Sequence, residues 1–258
     1  MRKKFQIPNS KFQIQITWLY PDLMNIYGDR GNVIVLQKRA EWRGIPVTVT
    51  YYSIGSTVSD ITNADILLMG GAQDRQQHLV AKDIEGKKAE ALKKAIHQGV
   101  PGLFVCGGYQ FLGNYYKPAD GPIIPGLGIF DVYTEHPGKT QKRLIGNIAV
   151  ESPEGNTYVG FENHGGRTYL EKTAQPFARV LSGSGNNGTD RTEGVLFNHT
   201  IGTYLHGPIL SKNPELADWL IAKSLEVKYG LRETLSPLDN DIEYTARDTM
   251  LKRLGIWT

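Results

Sequence analysis

Segments of strand length alternate with segments of helical periodicity over the first 112 residues. Two of them, "FQIQI" at 12–16 and "VTVTYY" at Val47–Tyr52, carry alternating or β-branched residues. Two more, "DILLMGG" at 65–71 and "GLFVC" at 102–106, are continuous apolar runs, and helical spacing such as that of 31–45 separates the four. Strands that alternate with helices pair in parallel. We therefore predict an α/β fold with an open mixed, mainly parallel β-sheet flanked by helices.

Beyond Leu112 the sequence changes to Gly- and Pro-rich turns that separate short apolar runs. These runs predict antiparallel or mixed strands added to the parallel set. The stretch "NPELADWLIAKSLEVKYG" then predicts a helix, with Asn213 as N-cap, Pro214 at the first helical position and Gly230 just past the end.

The chain is long enough to bury one sizeable core, since it has 258 residues and is 40% hydrophobic. We expect residues 1–235 to form one domain and residues 236–258 to add a C-terminal helix or tail. The tetrapeptide "KFQI" occurs at 4–7 and again at 11–14, as a hairpin or by chance.

The composition narrows the function classes. The 29 basic and 26 acidic side chains give a net charge of +3 and form no basic block, which argues against nucleic acid. No run approaches the roughly 20 apolar residues that cross a bilayer. A single cysteine forms no intrachain disulfide and no cysteine-based metal cluster, so we predict no metal site and a cytoplasmic location.

That single cysteine, Cys106, stands between the apolar run "GLFV" and the pair Gly107-Gly108. A strand that turns abruptly into a helix lifts the intervening side chain out of the sheet, as in a nucleophile elbow. The helix N-terminus there favours the reactive thiolate. The alternative is a buried thiol that packs as a small hydrophobe.

A thiol nucleophile needs a base, and two of the six histidines have suitable positions. His206, in "IGTYLHGP", lies on a loop after a strand, where open α/β sheets carry their sites. His164, in "GFENHGGR", is framed by glycines and is a second pocket candidate. His78, His97 and His136 are expected at the surface.

Acyl transfer also needs donors for the developing oxyanion. Gly70 and Gly71 follow a buried strand, where glycine lets backbone N–H groups approach a ligand closely. Gly107, directly after the candidate nucleophile, supplies a further N–H. The alternative for such a glycine pair is a turn that needs it for conformation alone.

Taken together, "MGGAQD", "VCGGYQFLG", "GFENHGG" and "GTYLHGP" resemble class I glutamine amidotransferases. More narrowly they resemble the branch that includes the cobyric acid synthase glutaminase domains. With "YGDRGNVIVLQKRA" near the start, they resemble the family of glutaminase subunits of lipid II isoglutaminyl synthase. The resemblance covers most of the chain, and its most specific part is Cys106, Gly108 and Gln110 followed by His206.

The resemblance implies that Cys106 attacks the side-chain amide of glutamine and that His206 acts as general base and acid. It also implies that Arg143 pairs with the α-carboxylate of glutamine. A solvated basic strand edge is the alternative for that arginine. The other implied pocket residues are Gln110, Asn163, His164 and Gly165.

One departure from the family concerns the acid that orients the histidine. Many class I amidotransferases carry His-x-Glu, whereas His206 is followed by Gly207-Pro208. A histidine without an orienting group loses control of its tautomer and ring position. Three explanations are open: a Cys–His dyad, another carboxylate of this chain, or an acid from a partner protein. Of these we expect the partner.

The released ammonia is expected to be used by another protein. Activation of an acceptor acid normally takes ATP, and the sequence has no G-x-x-x-x-G-K-[ST] loop. The resemblance implies a heterodimer with a Mur-ligase-like synthetase subunit that binds ATP and Mg²⁺, while this chain carries no cofactor. The acceptor would be the D-glutamate α-carboxylate of lipid II, at the inner face of the membrane.

Three other functions compete with this one. The first is amidation of another acid, such as a corrinoid, and the second is a non-catalytic regulatory module on the same fold. The third is a cysteine peptidase or isomerase with a similar elbow, against which Gln110 and Arg143 argue.

Overall fold

The computed structural model describes residues 12–232 and 234–256. The strands are β1 (Ile14–Leu19), β2 (Val47–Tyr52), β3 (Ile66–Met69), β4 (Gly102–Val105), β5 (Tyr115–Lys117), β6 (Ile124–Pro125), β7 (Val132–Glu135), β8 (Leu144–Glu151), β9 (Thr157–His164), β10 (Arg167–Leu170), β11 (Ala178–Ser182), β12 (Thr192–Glu193), β13 (Val195–Phe197) and β14 (Thr200–Thr203). The α-helices are α1 (Arg30–Glu41), α2 (Val58–Thr62), α3 (Asp74–Asp83), α4 (Lys87–His97), α5 (Gly107–Leu112), α6 (Pro214–Tyr229) and α7 (Asp241–Arg253), and a 3₁₀ helix spans Ile209–Ser211.

A six-stranded sheet forms the centre of the fold, in the order β13-β14-β4-β3-β1-β2. All neighbouring strands in it are parallel except β13 and β14, which are antiparallel. Every residue of β3 and β4 is buried, as expected for central strands covered on both faces. The predicted mainly parallel mixed sheet is confirmed.

β1 starts and ends later than the alternating segment at 12–16 predicted. It pairs with β3 and β2 along its two edges, and only one of its six residues is less than fully buried. The polar residue Thr17 is accommodated because its hydroxyl donates to the Asp60 carbonyl at 2.8 Å. The repeat "KFQI" begins outside the described residues.

The strands after Leu112 correct a prediction. Only β13 and β14 join the central sheet, and the others form two separate four-stranded sheets, β10-β7-β5-β6 and β12-β11-β8-β9. We call the second of these the outer sheet. One link to the centre is an isolated bridge between Phe161 of β9 and His206, which follows β14, and another is the Thr203 hydroxyl of β14, which donates to Glu193 of β12.

α6 follows the prediction at both ends, since Pro214 opens it and Gly230 closes it in the left-handed conformation at φ +70°. Asn213 precedes it but does not cap it with its side chain. Instead the Asn213 amide binds the backbone N–H and carbonyl of Val159 in β9, at 3.0 and 2.9 Å. The residue therefore joins α6 to the outer sheet.

The C-terminal segment contains a helix, α7, which packs on the outer sheet through Leu251 against Ala149 and Val159. The proposed division of the chain at residue 235 stays a prediction. No helix within 12–232 and 234–256 has the length and apolar character needed to cross a membrane.

Candidate active site

Four adjacent strands of the central sheet deliver polar groups to one edge. Cys106 follows β4, the Gly70-Gly71 turn follows β3, and His206 lies three residues beyond β14. Asp29 ends the loop of residues 20–29 that follows β1, and it directly precedes α1. These are carboxyl ends of parallel strands, where open α/β folds place their sites.

Cys106 occupies a strained turn between β4 and α5. Its φ of +53° and ψ of −105° are unusual for a residue with a side chain, and such strain is typical of an elbow that presents a nucleophile. Its N–H donates to the Thr203 carbonyl at 2.8 Å, which ties the turn to β14. Gly108 must lack a side chain, since a Cβ there would lie 2.9 Å from the Met69 carbonyl oxygen. The predicted strand-turn-helix elbow is confirmed.

His206 is buried beside this thiol. Its backbone pairs with Phe161 through two hydrogen bonds of 3.1 and 2.9 Å. A Cβ on Gly71 would lie 3.2 Å from His206 Cε1 and 3.6 Å from Cys106 Sγ, so both side chains meet above this glycine. The ring atom Nε2 has no hydrogen-bond partner within the described part of the chain.

The contacts of His206 favour its protonated form. Burial lowers the pKa of His206, but the hydrogen bond to Asp29 and the interaction with Cys106 outweigh burial and raise the pKa to about 10. An imidazolium beside the sulfur stabilises a thiolate, the form that attacks a carbonyl carbon.

Asp29 supplies the acid that the sequence pattern did not show. Its Oδ1 lies 3.2 Å from His206 Nδ1, and its Oδ2 accepts the N–H of Gly71 at 2.9 Å. The carboxyl group is buried. Of the three explanations, the structure supports another carboxylate of this chain, and the expectation that a partner supplies the acid is wrong. A signal was present, because Asp29 follows a predicted strand in the quoted segment "YGDRGN".

Two of the three predicted oxyanion donors, Gly70 and Gly71, are wrong. The N–H of Gly70 donates to the Met24 carbonyl at 3.2 Å, and that of Gly71 donates to Asp29, so neither is free. The N–H groups of Ala72 and Gly107 have no acceptor within the described residues. They are close together, since a Cβ on Gly107 would lie 3.0 Å from the Ala72 nitrogen.

A cavity of about 440 Å³ opens beside Cys106. Its lining includes the predicted residues Gln110, Arg143, His164 and Gly165, whereas Asn163 lies behind Arg143. Lining residues that sequence reasoning missed are Ile26, Tyr27, Ala72, Gln73, Asp74, Arg75, Gln77, Tyr116 and Gly166.

Asn163 holds Arg143 in place. The Arg143 Nε donates to the Asn163 side-chain oxygen at 3.0 Å, and Nη2 donates to the Asn163 carbonyl at 2.8 Å. Nη1 has no hydrogen bond within the described chain and lies 3.3 Å from where a Cβ on Gly165 would be. The guanidinium therefore keeps donors for an anionic ligand.

Gln110 and His164 form the inner wall of the cavity. The amide of Gln110 accepts from Gln77 and donates to the Tyr204 hydroxyl, each at 3.1 Å. His164 stacks on Tyr204 with 3.6 Å between ring centres, and its Nδ1 lies 2.8 Å from the Gly166 carbonyl. Burial lowers the pKa of His164 to about 3, so the ring is neutral. His164 is therefore a wall residue rather than a second base.

The other predicted surface histidines lie as expected with one exception. His78 and His97 are exposed, whereas His136 is partly buried against Gly165. Within residues 12–232 and 234–256 no three His, Cys, Asp or Glu side chains converge to hold a metal ion.

An elbow cysteine with a buried His–Asp pair beside a cavity is the arrangement of a thiol-dependent acyl-transfer enzyme. The model of the CobB/CobQ-like glutamine amidotransferase domain matches residues 15–214, and the chain belongs to this family of glutamine-hydrolysing enzymes. It is 43% identical to the lipid II isoglutaminyl synthase (glutamine-hydrolyzing) subunit GatD of Staphylococcus aureus over 241 residues, which are 93% of this chain and 96% of that relative. The GatD subunit of Streptococcus pneumoniae is 42% identical over 86% of this chain and 84% of its own length.

Two further comparisons are more distant. The cobyric acid synthase of Pelotomaculum thermopropionicum is 32% identical over 55% of this chain, which spans 29% of that protein. A solved glutamine amidotransferase structure superposes with a TM-score of 0.57 at 16% identity, over 81% of this chain and 98% of that one. This likeness supports the class I amidotransferase-like fold.

Proposed function

We propose that this chain is the glutaminase subunit of a lipid II isoglutaminyl synthase. The observation that carries the proposal is the 43% identity to a GatD subunit along nearly the whole of both chains. The product of the glutamine site is ammonia, which a separate subunit consumes. We further propose that the complex works in the cytoplasm, at the membrane face where its lipid-linked substrate is presented.

The first half of the reaction forms a thioester. The Cys106 thiolate attacks the side-chain amide carbon of glutamine, and the oxyanion that develops is stabilised by the N–H groups of Ala72 and Gly107. His206 donates its proton to the departing nitrogen, which leaves as ammonia. Asp29 holds the histidine ring in the orientation that this transfer needs.

The second half releases glutamate. His206, now neutral, takes a proton from water as the water attacks the γ-glutamyl thioester, and the sulfur departs as the thiolate. Arg143 holds the α-carboxylate of the substrate throughout, positioned by Asn163. The site thereby returns to its thiolate–imidazolium form.

The ammonia passes to a Mur-ligase-like partner in a heterodimer. That partner binds ATP and Mg²⁺ and activates the D-glutamate α-carboxylate of lipid II, which ammonia converts to D-isoglutamine. This chain needs no cofactor for its own half-reaction, since the nucleophile, base, acid and oxyanion donors described above all belong to it.

The test is reconstitution of the purified chain with the candidate ligase, lipid II, ATP, Mg²⁺ and glutamine labelled with ¹⁵N in its side-chain amide. We expect the label in D-isoglutamine only when both chains are present. Cys106→Ala should abolish amidation from glutamine but leave amidation from ammonium chloride intact. Glutamine-dependent amidation at the native rate by Cys106→Ala would overturn the nucleophile assignment.

A corrinoid acid in place of lipid II forms the competing arm of that experiment. The match to cobyric acid synthases motivates this arm, although this chain spans only 29% of the one cited above. Amidation of the corrinoid and not of lipid II would replace the proposed acceptor. If ammonia is released neither with lipid II nor with the corrinoid acid, and the isolated chain releases none either, the result favours a non-catalytic module.

A further inference from the structure

The cavity beside Cys106 carries charges of both signs. Among its described lining residues the basic side chains are Arg75 and Arg143, and Asp74 is the single carboxylate. Free glutamine is a zwitterion, with an α-carboxylate and an α-ammonium group on the same carbon. With a guanidinium assigned to the carboxylate, the ammonium group needs an anionic partner.

Asp74 has an unused oxygen. Its Oδ1 accepts the hydroxyl of Tyr116 at 3.2 Å, whereas Oδ2 makes no hydrogen bond and the carboxylate makes no ion pair within the described residues. Burial and the Asp74 carboxylate both raise the pKa of Tyr116, so the phenol stays a donor at working pH. Tyr116 fixes one oxygen of Asp74 and leaves the other for a ligand.

The carboxylate of Asp74 lies in the first turn of α3, where it interacts favourably with the helix dipole but makes no capping contact. Asp74 is the first residue of α3, after Gln73 at the N-cap, and no side-chain cap hydrogen bond is made there. The residue follows Ala72, the oxyanion donor, by two positions, so it borders the reaction centre through a short and direct connection.

Asp74 and Arg143 border the same end of the cavity. A Cβ on Gly165 would lie 2.7 Å from His136 Nε2 and 3.3 Å from Arg143 Nη1, so these two side chains converge at that glycine. A Cβ on the next residue, Gly166, would lie 3.5 Å from Tyr116 Cε2, and the Tyr116 hydroxyl binds Asp74. Arg143 and the Tyr116–Asp74 pair therefore border two adjacent glycines of the cavity wall. An amino-acid head group between Asp74 and Arg143 leaves the side-chain amide to extend towards Cys106.

We propose that Asp74 binds the α-ammonium group of glutamine, and that the site therefore selects amides with a free α-amino group. This inference rests on the proposed glutaminase function. It assigns to Asp74 the discrimination between glutamine and amides whose α-nitrogen is absent or acylated. Asp74 is a binding residue in this scheme and takes no part in proton transfer.

The test compares L-glutamine with glutaric acid monoamide, which lacks only the α-amino group. The wild-type chain, with its ligase partner, should prefer glutamine by about 10- to 100-fold in kcat/KM, the range expected for a hydrogen bond to a charged group. Asp74→Asn should lose about that factor on glutamine, mainly through KM, and change little on the monoamide. Tyr116→Phe, which removes the hydrogen bond to Asp74, should lose a smaller factor on glutamine and also change little on the monoamide.

An equal loss on both substrates, or no loss on either, would overturn the proposal. Asp248→Asn, an exposed carboxylate on α7, is the matched control and should leave both values unchanged. If Asp74→Asn does not fold, the wild-type comparison still decides, because equal kcat/KM for the two amides excludes an ammonium subsite. If the wild-type complex hydrolyses neither amide, the proposed glutaminase function fails instead.

Discussion

Asp29 and His206 meet through a 3.2 Å contact although 177 positions separate them in the chain. The other oxygen of the same carboxylate binds the N–H of Gly71, in the turn that leads to the oxyanion donor Ala72. One buried acid thus fixes the ring of the base and the backbone beside the oxyanion. Its loss should disturb both.

Asp29→Asn should reduce kcat for glutamine hydrolysis by about 100- to 10,000-fold, because the amide can stabilise the wrong histidine tautomer and cannot balance the imidazolium. The carboxylate helps to raise the pKa of His206 to about 10, so its removal lowers that pKa. Since the protonated ring exists below its pKa, the alkaline limb of the pH–rate profile should move to lower pH. Steady-state rates between pH 6 and 10 measure both effects, with Asp248→Asn as control. An unchanged alkaline limb would show that Asp29 does not set the charge of His206.

Gly71→Ala should reduce kcat by about 10- to 100-fold while the chain stays folded, because small displacements of reacting groups are costly. The new methyl group would lie 3.2 Å from Cys106 Cβ and from His206 Cε1, so one of them must shift. Gly146→Ala on β8 is the control, since a Cβ there meets nothing within 4 Å. Ammonia release and circular dichroism of both variants decide the matter, and native activity of Gly71→Ala would contradict the described geometry.

Arg143→Lys should raise KM for glutamine by about 10- to 100-fold with a smaller change in kcat, since a lysine cannot make the forked contacts of a guanidinium. The native side chain uses two donors on Asn163 and presents the rest to the cavity. Arg179→Lys, which alters an exposed arginine paired with Glu151, serves as the comparison. An unchanged KM in Arg143→Lys would assign the α-carboxylate to another group.

Glu193→Gln should make the thermal unfolding midpoint less sensitive to pH between about 5 and 8. Burial raises the pKa of Glu193 to about 7, although hydrogen bonds from Thr203 and Tyr204 oppose the shift. A raised acid pKa means that the folded state holds a proton that the unfolded state releases. Its stabilisation is therefore complete below the ordinary value of 4.5 and is lost as pH rises through about 7.

The neutral amide of Glu193→Gln avoids that loss. The difference in unfolding midpoint, variant minus wild type, should therefore be about a few degrees larger at pH 8 than at pH 5. The difference between the two proteins is the relevant quantity, because His164 acts in the opposite sense. Burial lowers the pKa of His164 to about 3, and its contribution is lost as pH falls below the ordinary value of 6.5. Glu90→Gln on the exposed face of α4 should show no pH-dependent difference. If the midpoint of Glu193→Gln differs from that of the wild type by the same amount at every pH, a group other than Glu193 causes the pH dependence.

Local signals account for much of the fold that the sequence predicts. The β-branched run predicts β2 with its observed bounds, and Pro214 with Gly230 predicts both ends of α6. Those local signals do not predict that the later strands form two additional sheets. β10, for example, pairs with β7 across a chain segment of some thirty residues, and short runs do not specify which partner they meet.

Some residues of the candidate site could be predicted from the sequence, and others could not. Cys106 and His206 follow from their positions after predicted strands, and Arg143 follows from the family resemblance. Asp29 and the free N–H of Ala72 depend on which hydrogen bonds the neighbouring turns already make. The segment "YGDRGN" marks Asp29 as a candidate, but only the folded chain shows that its carboxylate pairs with His206 and with the N–H of Gly71.

The glutamine cavity lies at a seam between two sheets. Cys106 and His206 follow strands of the central sheet, whereas Asn163 and His164 end β9 of the outer sheet and Arg143 directly precedes β8. The Phe161–His206 bridge fastens the two sheets beside the reacting atoms. The outer sheet thus supplies one wall of the cavity, whereas the opposite wall and the reacting side chains come with the central sheet. A displacement of the outer sheet relative to the central sheet would therefore change the distance from Arg143 to Cys106 while the elbow that carries the sulfur stays intact.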